Sequence, residues 1–247
     1  MKKFVLLLTA AIMIFVNGCL FAQENGDNNL FHFGLKVTPA LSWFTPGEKT
    51  LANDGVHFGF GYGLTTEFGF TKNYAFSTGL EILNANGKLK FNNNDSVFYV
   101  ANEATKHSDT VLLNRTYKLR YVNIPLLLKL KTNRIGPMTY FGQFGFDLAI
   151  KWLATANDNE SVKANPITNS DVSISNDVDF IRLALNVGLG IEYNLSGTTS
   201  LVVSVNYDNG FTNALRTNSK MLFDQSRNPL QQKAVFNYVG LTVGVLF

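Results

Sequence analysis

Between Val56 and Phe70 the residues sort into two sets by parity. Even positions carry Val56, Phe58, Phe60, Tyr62, Leu64, Thr66, Phe68 and Phe70; odd positions carry His57, Gly59, Gly61, Gly63, Thr65, Glu67 and Gly69. Side chains alternate faces with period two in a strand, whereas a helix would scatter both sets around its circumference. The stretch therefore predicts one long strand with an apolar, aromatic face and a small or polar face. Alternation recurs over residues 31–38, 74–82, 121–130, 139–150, 181–193, 201–208 and 238–247. About eight strands follow. Pro125 lies inside the fourth and cannot donate to a ladder, so a local bulge is expected there.

Connections alternate in length. Thr71 to Asn73, Thr132 to Pro137 and Asn194 to Thr199 are short and rich in turn formers. Those over Thr45 to Gly55, Asn86 to Tyr117, Ala154 to Val178 and Asn209 to Phe236 are long. The second contains KLKF (88–91) and VFYV (97–100) around Asn92–Asn94, a hairpin extending the strands. Short turns at one end and long loops at the other are the pattern of an antiparallel up-and-down transmembrane barrel.

A soluble barrel would also alternate, with its apolar face inward. Here aromatic residues gather at strand ends. Phe70, Tyr74, Tyr140, Tyr193 and Phe247 flank the short-turn end, and Trp43, Phe58 and Trp152 the other, as expected of two interfacial girdles. The opposite face carries Lys36, Glu67, Glu81, Lys129, Asp147, Arg182 and Glu192. Charges inside a barrel must pair, so these seven predict an interior charge network. An eight-stranded barrel is just wide enough for side chains to fill, which predicts a polar plug. Such a barrel has no open strand edge and is expected to be monomeric.

Composition adds export. Lys2 and Lys3, the apolar run Phe4 to Val16 and the polar exit Asn17 to Gln23 read as a signal peptide over residues 1–22, leaving a single barrel domain over 23–247. A competing reading makes Cys19 a lipidation site. Without the leader's two lysines, the 21 basic residues fall to 19 against 18 acidic. No basic run is present, so nucleic-acid binding has no footprint. Cleavage after Ala22 removes the sole cysteine and with it disulfides and thiol catalysis. No later segment reaches the roughly 18–20 apolar residues of a spanning helix, and the expected location is the outer membrane of a Gram-negative cell.

Chemistry-bearing residues are sparse. His32 and His57 have inward parity at opposite ends, and no serine-centred motif accompanies His57. His107, with Asp95, Glu103 and Asp109, lies in a long loop whose spacing matches no zinc or EF-hand pattern. The expectation is a protein without catalytic residues, metal or cofactor.

YVNIPLLLK (121–129), NVGLGIEY (186–193), VNYDNGFTN (205–213) and VGLTVGVLF (239–247) resemble the PorT-like outer-membrane β-barrel family of Bacteroidota across essentially the whole mature chain. The resemblance implies a barrel. From the family's founding member it also implies assistance to a secretion system that exports proteins across the outer membrane. The terminal Phe247, with Val245, Val243 and Leu241 before it, resembles the signal read by the barrel-assembly machinery. The leading expectation is a non-enzymatic barrel in outer-membrane lipid that contacts a surface partner through loops such as Phe98–Val100 and Met221–Phe223, or serves an envelope complex at its periplasmic rim. A small-solute channel, with Arg182 and Asp147 along a narrow path, and a lipid-modifying enzyme are the alternatives.

Overall fold

The computed structural model describes residues 31–49, 51–91, 98–99, 112–161, 167–223 and 228–247. Its strands are β1 (Phe31–Pro46), β2 (Leu51–Asn53), β3 (His57–Thr71), β4 (Tyr74–Phe91), β5 (Phe98–Tyr99), β6 (Leu112–Lys131), β7 (Met138–Ser161), β8 (Ile167–Ser173), β9 (Ile181–Ser196), β10 (Thr199–Gly210), β11 (Asn218–Phe223), β12 (Pro229–Gln231) and β13 (Ala234–Leu246). Eight of them close a ring of antiparallel neighbours in the order β1, β3, β4, β6, β7, β9, β10, β13 and back to β1. Closure pairs every long strand on both sides, which removes the open edges a sheet of this length would expose.

The alternation read from the sequence becomes inside and outside. On β3 the even residues Phe58, Phe60, Tyr62, Leu64 and Phe70 are exposed, while Gly59, Gly61 and Glu67 are buried. Leaving this much apolar surface outward is costly in water and favourable in lipid.

Three expectations need correction. Register stays constant through Pro125: Thr78 faces Leu126 and Glu81 faces Asn123 on β4, and Pro125 faces Asp147 on β7. The missing donor falls on the β4 side, where Gly79 and Leu80 have no ladder partners on β6, so no extra residue is needed. The bulge lies instead at Trp152, which is inserted between Lys151, opposite Tyr121, and Leu153, opposite Arg120. Trp152 and Leu153 both face outward, and parity reverses beyond them, turning Ala154, Ala156 and Asp158 inward.

The strands also run further than their alternation suggested. β4, β6 and β7 continue through much of what reads as loop, because Lys88 and Lys90 pair with Thr116 and Asn114, and Ala154 to Ser161 pair along β6. KLKF therefore belongs to β4 and bonds to β6. Phe98–Tyr99 of VFYV pairs with Leu222–Phe223, and β12 completes a separate three-stranded sheet. The leader residues 1–22, Cys19, Val100, His107, Asp95, Glu103 and Asp109 lie outside the described residues.

Candidate functional site

The lumen is built in layers, starting at the short-turn end. Glu67 of β3, Lys129 and Lys131 of β6, and Glu192 of β9 meet across the barrel. Lys129 Nζ contacts both carboxylates, at 2.5 Å from Glu192; Lys131 Nζ lies 2.7 Å from Glu67 and 2.9 Å from Glu192. Two cations against two anions balance, and strands two places apart on either side of β6 are cross-braced. The Lys129 ammonium also sits 3.9 Å above the Phe141 ring, a favourable contact once desolvated.

The next layer shows why glycines alternate with aromatics. Lys36 of β1 and Glu81 of β4 both face Gly63 of β3, and their ion pair of 2.7 Å spans the strand between them. A Cβ on neighbouring Gly61 would strike the Glu81 carboxylate. The same device recurs opposite. Gln143 of β7 donates to Asn206 of β10 at 2.7 Å, over Gly188 of β9, where a Cβ would meet the Asn206 amide oxygen. Asn206 continues to Thr242 at 2.9 Å and Thr242 to Thr38 at 3.0 Å. Small residues on the middle strand let polar side chains of its neighbours bond across it.

Higher up, Asn186 donates to Asp147 at 2.8 Å, and Tyr238 lies 3.5 Å from the same carboxylate. Arg182 pairs with Asp208, donates to the Phe236 carbonyl at 2.8 Å and stacks 5.1 Å from that ring. Phe44, Tyr117 and Phe236 then fill the lumen edge to face, with Phe44 at 5.2 Å from Tyr117 and 5.5 Å from Phe236. Above them Arg115 binds Asp158 bidentately at 2.7 and 2.8 Å, both fully buried. At the long-loop end Asp177 accepts from Ser219 Oγ at 2.6 Å, Lys220 N at 2.7 Å and Gln232 at 3.2 Å. One mid-lumen cavity of about 60 Å³, lined by Lys36, Glu81, Asp147, Asn186, Asn206 and Tyr238, has room for a few water molecules.

All seven charges singled out by parity lie inside, but not as one network. Glu67, Lys129 and Glu192 meet; Lys36 joins Glu81; Asp147 joins Asn186 and lies against Asp208, the partner of Arg182. Their missing partners are Lys131 and Asp208, and the Arg115–Asp158 pair forms a further layer. Lys131 shares the parity of Lys129 and Asp208 that of Ser204, so both were legible; Asp158 was not, because the Trp152 insertion reverses parity before it. His32 pairs in register with Glu67 at one end, and His57 with Ser42 at the other. The Ser42 hydroxyl donates to the carbonyls of Asn86, at 2.6 Å, and His57, at 3.2 Å.

Outside, Phe70, Tyr74, Tyr140, Tyr193 and Phe247 are exposed around the short-turn end. Near the other end Trp152 is 62% exposed, and Trp43 stacks on Tyr207 at 6.4 Å. An apolar outer band between two aromatic rows, around a polar lumen, is the arrangement that lipid requires. A family model described as outer membrane protein beta-barrel domain matches residues 21–216. The chain belongs to that family. No curated protein matches it. Among solved structures, the chain is similar to OprG of Pseudomonas aeruginosa (12% identity, TM-score 0.41, covering 88% of this chain and 95% of that one). It is similar to neisserial surface protein A (9%, 0.37, 87% and 96%) and to the outer membrane protease OmpT of Escherichia coli (10%, 0.41, 91% and 99%).

The protein is thus an outer-membrane barrel, and bacterial barrels turn their short connections to the periplasm. Its long-loop end is extracellular. There, β2 is clasped to β4 by Asp54, whose carboxylate contacts Lys90 and lies 2.5 Å from Lys88. Hydrogen bonds from Lys88 and then Lys90 hold the Asp54 carboxyl below the usual carboxylate range. A depressed folded pKa adds stability that is present above the unfolded value, about 3.9, and is lost as pH falls through the folded one. Protection of the Leu51–Asn53 amides, taken relative to the intrinsic exchange rate at each pH, should therefore fall below about pH 4 in the parent protein. Asp54→Asn should show low protection there already at neutral pH, with no further loss on acidification.

Proposed function

We propose that this outer-membrane barrel is a non-conducting, non-enzymatic anchor that presents a rigid recognition head to a protein partner outside the cell. The observation that carries this reading is the continuation of β4, β6 and β7 beyond the outer aromatic row. Leu153 to Ser161 at ~3.3 Å per residue give a wall of roughly 20–30 Å. β2 and β8 pair with its edges, and Leu222 and Leu230 of the separate small sheet pack with Leu51 and Phe91 of the wall. Arg115–Asp158 and the Asp177 hub fix its interior. Loops built this way hold shape, which lowers the ordering cost of binding.

The layered lumen supports the absence of conduction: charge pairs and the Phe44–Tyr117–Phe236 stack cross it at successive heights. The separation of His32 from His57, and the commitment of the Ser42 hydroxyl to backbone carbonyls, support a non-enzymatic role. The PorT-like resemblance supports the finer alternative, an accessory of an envelope or secretion complex engaged through the periplasmic rim.

The purified protein, shown to be folded by heat-modifiable gel migration, is expected to be silent in planar bilayers; discrete reproducible openings would replace this reading with a channel. Photo-crosslinkers at exposed Lys220 on the head and Arg134 on the rim distinguish the two binding modes. A protein adduct from Lys220 alone is expected. An adduct from Arg134 alone would assign the contact to the rim.

A further inference from the structure

The outer wall of β4, β6 and β7 changes character within one row. Ile82, Val122 and Ile150 stand side by side across the three strands; in the next outward row stand Asn84, Arg120 and Leu153, then Asn86, Lys118 and Thr155. Phe58 and Trp152, each 62% exposed, mark the same height. A cleft of about 440 Å³ opens here, lined by Phe58, Asn84, Asn86, Lys118, Arg120 and Asp171 among others.

Its cations are arranged in advance of any ligand. Asn84 Nδ2 donates to the Phe60 carbonyl at 3.1 Å, and its Oδ1 accepts from Arg120 Nε at 2.9 Å. The backbone thus orients the amide, and the amide orients the guanidinium. No carboxylate among the described residues pairs with Arg120. Lys118 Nζ lies 3.0 Å from Asp171, and both are well exposed. Lys88 and Lys90 stand in the rows above, sharing Asp54. Four cations against two carboxylates leave this strip positive on a wall that faces lipid just below it.

We propose that the cleft binds the phosphate of a phosphorylated glycolipid of the outer leaflet, with Arg120 and Lys118 as its ligands and the acyl chains lying down the Ile82–Val122–Ile150 row. The height is that of lipid headgroups, beside the interfacial aromatics. An oriented guanidinium matches phosphate oxygens bidentately. The Asn86 and Thr155 side chains suit the hydroxyls of a sugar headgroup, and the volume is that of a small-molecule site. The proposal rests on the outer-membrane placement and is independent of the recognition head.

The test is native mass spectrometry of the barrel released from phosphatidylcholine nanodiscs doped with bisphosphorylated lipid A or its dephosphorylated counterpart. The parent protein is expected to retain the phosphorylated form. The double variant Arg120→Gln, Lys118→Gln should bind it at least about tenfold more weakly, the scale of one lost charge-assisted contact. Lys72→Gln, in a turn at the opposite end, should match the parent, and all three proteins should show the same heat-modifiable migration. Equal retention by the double variant, or equal retention of dephosphorylated lipid A, would overturn the proposal in favour of acyl contact alone. Displacement by millimolar inorganic phosphate would overturn it in favour of a free-anion site.

Discussion

Arg182→Met should destabilise the barrel by about 3–5 kcal/mol, the usual consequence of leaving one member of a buried ion pair without its partner. Arg182 is 1% exposed and Asp208 fully buried. The substitution removes the guanidinium from Asp208, from the Phe236 carbonyl at 2.8 Å and from the Phe236 ring. Asp147, whose carboxyl lies against that of Asp208, is also buried, so the substitution would leave two adjacent carboxyls in a water-poor space without the guanidinium. Denaturant unfolding in detergent micelles, followed by fluorescence of Trp43 and Trp152, measures the loss. The double variant Arg182→Met, Asp208→Leu decides its cause. If the penalty is the orphaned charge, removing that charge should restore most of the stability, since apolar replacement of a complete buried pair is often neutral or favourable. If the double variant is no better than the single one, the stack on Phe236 and the carbonyl contact hold the layer.

The barrel was legible in the sequence because lipid leaves the strands only one code. Most membrane-facing positions are apolar and most inward ones small or polar, so Val56 to Phe70 announces its own faces. The inward charges followed from parity alone, without any knowledge of who meets whom. Pairing was harder, because the contacts cross the lumen. Glu67 finds Lys129 from two strands away, and Lys36 finds Glu81 only because Gly63 leaves the path between them open.

The extracellular half escaped for different reasons. Once β4, β6 and β7 leave the bilayer, the outward face turns polar, as Asn84, Asn86, Lys88 and Lys90 on β4 show, while Leu83, Ala85 and Leu89 turn inward, so the lipid-facing code no longer applies. The Trp152 insertion then inverts the code, so that Asp158 shares its parity with lipid-facing Phe144 and Phe146 yet lies buried against Arg115. No pattern along one strand reveals an inserted residue, which shows only in the register with the neighbour. The outward cleft at Arg120 was hidden because the apolar rhythm around it, Tyr117, Leu119 and Tyr121 on β6, points into the lumen and leaves the polar residues outside.

The aromatic layer gives the second large expected effect. Phe44→Ala should cost about 3–5 kcal/mol, the range for deleting a buried phenylalanine, because the lining relaxes only in part around the void. Phe44 is fully buried between Tyr117 and Phe236, and those rings are themselves tied into strands whose register is fixed on both sides. The nearby strand β4 offers a way to test whether volume is what matters. Gly87 of β4 faces inward under the Phe44 ring, and a Cβ there would fall 2.5 Å from a ring carbon. Gly87→Ile alone should therefore overpack the layer and destabilise by about 1–3 kcal/mol. In the Phe44→Ala background the same isoleucine grows into the vacated space, and the two changes should largely compensate. Unfolding of the parent, both single variants and the double variant closes the cycle, with strong coupling expected for residues in contact. Additive losses would mean that the layer does not close on volume, and that Phe44 acts through its edge-to-face contacts with Tyr117 and Phe236, which an aliphatic side chain cannot replace.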